Sequence, residues 1–417
     1  MKLDLRGPLR QVMFLTGCFG LATVFLFFGI RHYIAYHHST VLDEQNLSAA
    51  AELEPGNAEY EHLLGALYFF GREDPAQALE HYRRAAALNP YVARYFLDLA
   101  VVYHWQSRSD DERQSLERAV WLDPKTPNVA WEAANFYLTQ GDTVAALRQF
   151  RIVVENTSAQ STSALDLAWR ASHDIHQILE YAVDGNPQAH LVLLQLMIDR
   201  KEREAARQVW EHLWALNTAF KPQDAFSYVQ FLIDQRQVPE AREAWDRLIE
   251  DSAALKPYKP ARGNLLVNSG FEEEILNGGF DWRYASSPQV AVSIDTLTFH
   301  SGQRALAVRY LGSAADAGVF EYILVQPGTR YVLTAYVKGE TVNSASGPRL
   351  AIVDARKGTT LLLTDDVIGS SGWRLVRGEF IAGPDTTLAQ IKILRQPPEP
   401  AIRGQIWIDD VSVSPLN

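Results

Sequence analysis

NAEYEHLLGALYFFGREDPAQALEHYRRAAALNP (residues 57–90), YVARYFLDLAVVYHWQSRSDDERQSLERAVWLDP (91–124) and KTPNVAWEAANFYLTQGDTVAALRQFRIVVENTS (125–158) lie in one register. Ala66, Ala100 and Ala134 fall 34 residues apart, as do Phe69, Tyr103 and Tyr137, and Tyr82, Leu116 and Phe150. A further column holds Ala85, Ala119 and Val153, and the turn column holds Pro90 and Pro124 before lapsing at Ser158. Small residues recur where two helices must approach closely, aromatics where the gap between them must be filled, and proline where a helix must stop. The period predicts helical hairpins stacked one on the next. Glu112 departs from the small-residue column.

These columns resemble the tetratricopeptide repeat, which implies an all-α solenoid whose concave surface takes a protein partner. The solenoid is expected over 41–252. Asp43 to Leu53 reads as the second helix of a repeat lacking its first, since Ala51 sits 34 before Ala85. Ala164 to Val183 is amphipathic, and 189–216 and 223–250 match at an offset of 35 through Ala206 and Ala241, Trp210 and Trp245, Leu213 and Leu248. His173 and His176 fall three apart on what reads as one helix face, without a ligand-spaced partner for a metal.

At 417 residues the chain exceeds one ordinary core. Its net charge of −11, with no large Lys/Arg cluster, excludes a nucleic-acid footprint. The single cysteine, Cys18, excludes an internal disulfide and a cysteine metal cluster. Lys2, Arg6 and Arg10 precede an uncharged apolar run over 12–30, whose length of about 28 Å as a helix matches a bilayer's hydrocarbon core. The cationic flank predicts a cytoplasmic N-terminus (1–11), a single transmembrane helix (12–30) in the inner membrane and an extracytoplasmic remainder. No small-residue cleavage site follows the run. Leu15-Thr16-Gly17-Cys18 matches a short lipidation box, so a lipid-modified Cys18 is the alternative to an uncleaved anchor.

Lys256-Pro257-Tyr258-Lys259-Pro260 breaks the helical pattern, and 253–263 reads as a linker. Beyond it, short alternating runs predict strands at 289–294, 304–310, 319–325, 330–338, 349–354, 359–364, 373–381, 387–394 and 405–413, an all-β antiparallel sandwich over 264–417. Over Arg330 to Lys338, Tyr331, Leu333, Ala335 and Val337 should face inward while Thr334, Tyr336 and Lys338 face outward.

Asn264-Leu265-Leu266-Val267-Asn268-Ser269-Gly270-Phe271-Glu272 opens this segment, followed by Gly279-Phe280-Asp281-Trp282, His300-Ser301-Gly302, Pro327-Gly328-Thr329-Arg330-Tyr331, Gly372-Trp373 and Ile408-Asp409-Asp410-Val411-Ser412-Val413. The series resembles jelly-roll carbohydrate-binding modules of the kind attached to xylanases and glucanases. That resemblance implies a structural calcium ion at the meeting of the chain ends, with Glu272 and Asp410 as carboxylate ligands near Ser301. Sugar binding needs rings that stack on pyranose faces and polar groups for the hydroxyls. Trp282, Trp373 and Trp407 read as framework and core. Tyr336 with Lys338 and Gln390 with Lys392 are the main surface candidates, with Tyr284, Tyr322 and Arg395 added; a solvated sheet face is the alternative.

No phosphate loop, metalloprotease helix or nucleophile elbow occurs, and Glu272, Glu273 and Glu274 are consecutive rather than opposed across a cleft. The chain therefore reads as non-enzymatic. The expectation is a membrane-anchored envelope adaptor whose repeats bind protein and whose sandwich binds polysaccharide, in surface glycan export or assembly. A protein-only assembly scaffold is the contrasting expectation.

Overall fold

The computed structural model describes residues 8–285, 287–398 and 401–416. Lys2 and Arg6 of the expected cationic flank lie outside them. The chain divides into two compact units, Met1–Leu196 with Gln208–Leu216, and Met197–Arg207 with Asn217–Asn417.

The helices in order are α1 (Pro8–Ser39), α2 (Glu44–Leu53), α3 (Ala58–Ala66), α4 (Pro75–Leu88), α5 (Ala93–Trp105), α6 (Ser109–Leu122), α7 (Pro127–Thr139), α8 (Thr143–Asn156), α9 (Ser158–Ser172), α10 (Ile175–Ile178), α11 (Pro187–Asp199), α12 (Arg203–Ala215), α13 (Phe226–Asp234) and α14 (Val238–Asp251). Asp43, Asn57, Asp74 and Asp142 cap α2, α3, α4 and α8 by accepting from N–H groups of the first turn. Pro75 and Pro127 stand where a missing N–H costs nothing. The repeat columns are the core: Tyr82, Leu116, Phe150, Ala85, Ala119 and Val153 are all buried. Gly65 lets α3 lie against α4, because a Cβ there would fall 2.6 Å from the Tyr82 ring. Glu112, the departure from the small-residue column, sits in the first turn of α6, where the helix dipole favours an acid, and meets His104 Nδ1 at 3.0 Å.

α1 carries the apolar run, with mean hydropathy 2.1 in its most apolar window, and its large side chains there are exposed. Its last turns pack on α2 through Ala35 and Ala50. The single helix face expected for His173 and His176 does not form. His173 ends α9 in the left-handed region, at φ 51°, and Asp174 caps α10 from His176 and Gln177.

In the second unit the strands are β1 (Arg283–Tyr284), β2 (Val290–Asp295), β3 (Ala305–Tyr310), β4 (Asp316–Leu324), β5 (Arg330–Asn343), β6 (Pro348–Asp354), β7 (Thr360–Leu363), β8 (Gly369–Ile381), β9 (Leu388–Arg395) and β10 (Arg403–Pro415). They form two antiparallel five-stranded sheets, β1-β4-β9-β6-β7 and β2-β3-β10-β5-β8. Tyr331, Leu333, Ala335 and Val337 enter the shared core with Trp282, Phe271, Ile391 and Ile408, as alternation requires. The nine expected strands form; β1 has two residues, too few to show a period.

The segment 253–263 is not a free tether. Leu255 and Tyr258 are buried, and Tyr258 Oη donates to the Glu274 carbonyl at 2.6 Å. α13 and α14 belong to the same compact unit as the sandwich. Trp245 of α14 is fully buried, with its ring against Gly279, and Phe226 of α13 lies against Gly278. The second unit thus takes in Met197–Arg207, α13 and α14 together with the sandwich, and within it two aromatic rings seat on a glycine pair.

Candidate functional site

The outward residues of the sandwich fall on two different faces. On the first sheet, register sets Phe320 beside Arg283 and Lys392, and Tyr322 beside Gln390. Phe320 and Tyr322 meet edge to face with centroids 5.4 Å apart, and the Arg283 guanidinium lies 5.2 Å from the Tyr322 ring. Lys392 Nζ pairs with Asp316 at 2.5 Å. Arg283 also donates to the Gly279 carbonyl at 2.7 Å and to Gln230 of α13. Burial lowers the Arg283 pKa. Along this face the outward residues of β4 and β9 between Gly318 and Leu394 are half-buried rather than exposed, so the face is recessed.

At its end lies a pocket of about 410 Å³, lined by Tyr322, Asp354, Asp385 and Thr387 of the sandwich, by Asp234 at the end of α13 and by Arg236 after it. Burial would raise the Asp354 carboxyl, but hydrogen bonds from Thr386, Lys357 and Arg356 outweigh it and hold it below the usual range.

The second sheet carries Tyr336 and Lys338 on its outer face. His300 stacks on the Tyr336 ring at 3.5 Å and 12°, so that ring face is covered. Lys338 Nζ lies 4.9 Å over the Trp407 ring, and Trp407 Nε1 donates to Asp295 at 2.7 Å. Trp373 approaches His300 edge-on at 5.7 Å. Trp282 is in the core as expected, and Trp407 is buried too, on the other face of β10 from Ile406 and Ile408 and in register with Lys338; Trp373 is half-buried.

Of the sequence candidates, Tyr322, Gln390 and Lys392 come together; Tyr336 and Lys338 lie on the other sheet; Tyr284 packs half-buried against the core. Arg395 is a correction. It points inward, is buried, and donates to the carbonyls of Ser346 and Ala314 and to Ser344 Oγ, so its guanidinium supports loops rather than facing solvent. Sequence reasoning missed Arg283 and Phe320. Phe320 had a signal: it stands two residues from Tyr322 on one strand, hence on the same face.

Glu272 and Asp410 both reach the loop 300–304. Glu272 accepts from the N–H groups of Gln303 and Arg304; Asp410 accepts from Ser301 Oγ at 2.7 Å and meets His300 Nδ1 at 2.6 Å. Asp409, buried beside them, accepts from the N–H groups of His300 and Ser301; burial pushes its carboxyl up against those hydrogen bonds. A Cβ on Gly302 would strike the Glu272 carboxylate, and one on Gly270 would come within 3.9 Å of Asp409 Oδ1 and Asp410 Oδ1. Glycine makes room for an acidic oxygen at position 302; at 270 a Cβ would stand in ordinary contact. Among the described residues no three His, Cys, Asp or Glu side chains are already drawn together as a metal site.

In the helical unit, a groove of about 630 Å³ runs along α5, α7 and α9, lined by Arg94, Leu97, Asp98, Val101, Glu132 and Gln160.

No curated protein matches the chain. It is similar to the solved structure "CBM4 structure and function", at 16% identity over 36% of this chain and 99% of that one, with a TM-score of 0.29. It is also similar to PilF of Pseudomonas aeruginosa, at 18% identity over 51% of this chain and 85% of that one, TM-score 0.25. PilW, described as a widely conserved type IV pilus biogenesis factor, matches at 14% identity over 48% of this chain and 96% of that one, TM-score 0.27. The family model described as "Carbohydrate binding domain" matches residues 263–400, which span the β-sandwich from its opening motif through β9.

Proposed function

We propose that this chain is a non-enzymatic adaptor of a cell envelope, held in the inner membrane by an uncleaved α1, with its repeats taking a protein partner and its sandwich taking polysaccharide. The carrying observation is the recessed face with Phe320, Tyr322, Arg283, Gln390 and Lys392 on the segment that matches a carbohydrate-binding family. Rings beside amide and cationic side chains suit a sugar's apolar face and hydroxyls. Surface glycan export or assembly is the process this reading assigns. The groove along α5, α7 and α9 is where a peptide segment of the protein partner would lie.

The test is retention of the full chain, in detergent, by a panel of immobilised polysaccharides. Tyr322→Ala is expected to weaken binding at least about tenfold, roughly 1.4 kcal/mol, while Tyr336→Ala, whose ring His300 already covers, leaves it within about twofold. Loss on Tyr336→Ala instead would move the site to the other sheet. Retention by no glycan would favour the second reading, a protein-only scaffold. One observation supports that reading: Gln230 of α13 already occupies the Arg283 end of the recessed face.

Calcium belongs to the same proposal as a structural ion, held by Glu272 and Asp410 and tying the sandwich's first and last segments to one loop. Binding only the folded state, it would stabilise by about 2.7 kcal/mol at a hundredfold excess over Kd. Unfolding temperature is therefore expected to rise between EDTA and millimolar calcium, and to stop responding in Asp410→Ala. No response in the parent chain would leave the hydrogen bonds alone holding that junction.

A further inference from the structure

We infer that the edge of the solenoid formed by the turns after α4 and α6 lies on the bilayer surface, with Tyr91 and Trp121 in the headgroup layer. The inference rests on reading α1 as a membrane span. α1 leaves the apolar run at Ile30 and continues to Ser39; α2 then runs back toward the membrane. Where α2 ends, the Leu53 carbonyl accepts from Arg31, and Glu54 meets His32 Nδ1 at 3.0 Å. The C-terminus of α2 therefore stands level with the end of the span. Hairpins alternate direction, so the ends of α4 and α6 share that edge. A pocket here, about 630 Å³, is lined by Phe28 and Arg31 of α1 together with Pro55, Leu88 and Asn89, which places the turn after α4 directly beside the end of the span.

That edge exposes Leu88 at 43%, Tyr91 at 76% and Trp121 at 68%. Arg118 joins the two turns: it donates to the Pro90 carbonyl at 3.2 Å and lies 4.5 Å over the Trp121 ring. Exposed Lys125 follows in the same turn. Of the nearby carboxylates, Glu54 is engaged with His32 and Asp123 with Thr126, while Glu52 and Glu117 are exposed. Tyrosine and tryptophan with adjacent cations suit the interface, where a ring meets the acyl boundary and a guanidinium or ammonium meets phosphate. The next turn on this edge, Asn156 to Ser158, carries no aromatic residue. The opposite edge also exposes aromatics, Phe70 at 72% and Trp105 at 64%, but α1 runs toward it and away from the membrane. Height above the span, not apolarity, distinguishes the two edges.

The full chain, with Cys18→Ser removing its single thiol, is reconstituted into phosphatidylcholine and phosphatidylglycerol vesicles and spin-labelled at Tyr91→Cys or Trp121→Cys. Trp105→Cys serves as the opposite-edge reference and Val24→Cys as the span reference. Collision with a water-soluble nickel chelate is expected to be severalfold lower at positions 91 and 121 than at 105, with oxygen collision higher. Equal nickel access at 91, 121 and 105 while position 24 reports hydrocarbon overturns the inference and leaves the anchor standing. Nickel access at position 24 overturns the anchor and the inference with it.

Discussion

Gly279→Ala is expected to destabilise the second unit by roughly 2–5 kcal/mol, the sum of a left-handed backbone penalty and overpacking against a buried ring. Gly279 has φ 59°, and its missing Cβ is the space the Trp245 ring occupies. That ring cannot retreat, since Trp245 is fully buried and Phe226 packs on it at a centroid distance of 5.5 Å. For a unit of this size the loss corresponds to a fall in unfolding temperature of about 10 °C. Gly328→Ala is the control: its φ is 73°, yet a Cβ there meets nothing within 4 Å, so only the backbone cost of about 1 kcal/mol applies. Calorimetry of the full chain compares the two. If Gly279→Ala unfolds no earlier than Gly328→Ala, the indole does not sit on the glycine and α14 is not seated on the sandwich.

The architecture was readable because its signals repeat locally. Three copies of a helical hairpin put Tyr82, Leu116 and Phe150 in one column, and alternation along β5 put Tyr331, Leu333, Ala335 and Val337 inside. What alternation cannot show is which sheet a strand joins. Tyr322 and Tyr336 are both outward-facing aromatics, but β4 pairs with β9 and β5 with β8 and β10, pairings made across the whole domain. Arg395 was decidable from parity: Gln390 and Lys392 are two apart and share a face, and three further residues put Arg395 on the other. The seat of α14 had no such signal. Phe226, Trp245, Gly278 and Gly279 obey no common period, and a glycine pair before β1 reads as an ordinary turn.

The second unit is also expected to lose stability as pH rises from 5 to 8, and Asp281→Asn to remove much of that loss. Asp281 is buried, which pushes its carboxyl up to about 7 despite hydrogen bonds from the backbone of Leu276 and Trp282. Its folded pKa therefore lies above the unfolded value of 3.8. Below the unfolded value both states are protonated and its contribution is complete; between about 4 and 7 the unfolded chain releases a proton the folded chain keeps, so stability falls by up to roughly 4 kcal/mol. Glu321 acts in the same direction. It is fully buried, accepts from the Val267 N–H at 2.6 Å, and is held well above the carboxylate range by desolvation. Asp295 and Asp354 have lowered values, so their contributions vanish only as pH falls through the acid range below this window. Asparagine imitates the protonated acid: one oxygen still accepts from Leu276, and no charge has to be buried. Unfolding temperatures of the full chain and Asp281→Asn should therefore differ modestly at pH 5, where roughly a third of the loss has already occurred, and separate further by pH 8, the variant being higher. Parallel curves across that range would mean that Asp281 is ionised in the folded chain at neutral pH, with a counter-charge or water beside it that offsets its burial.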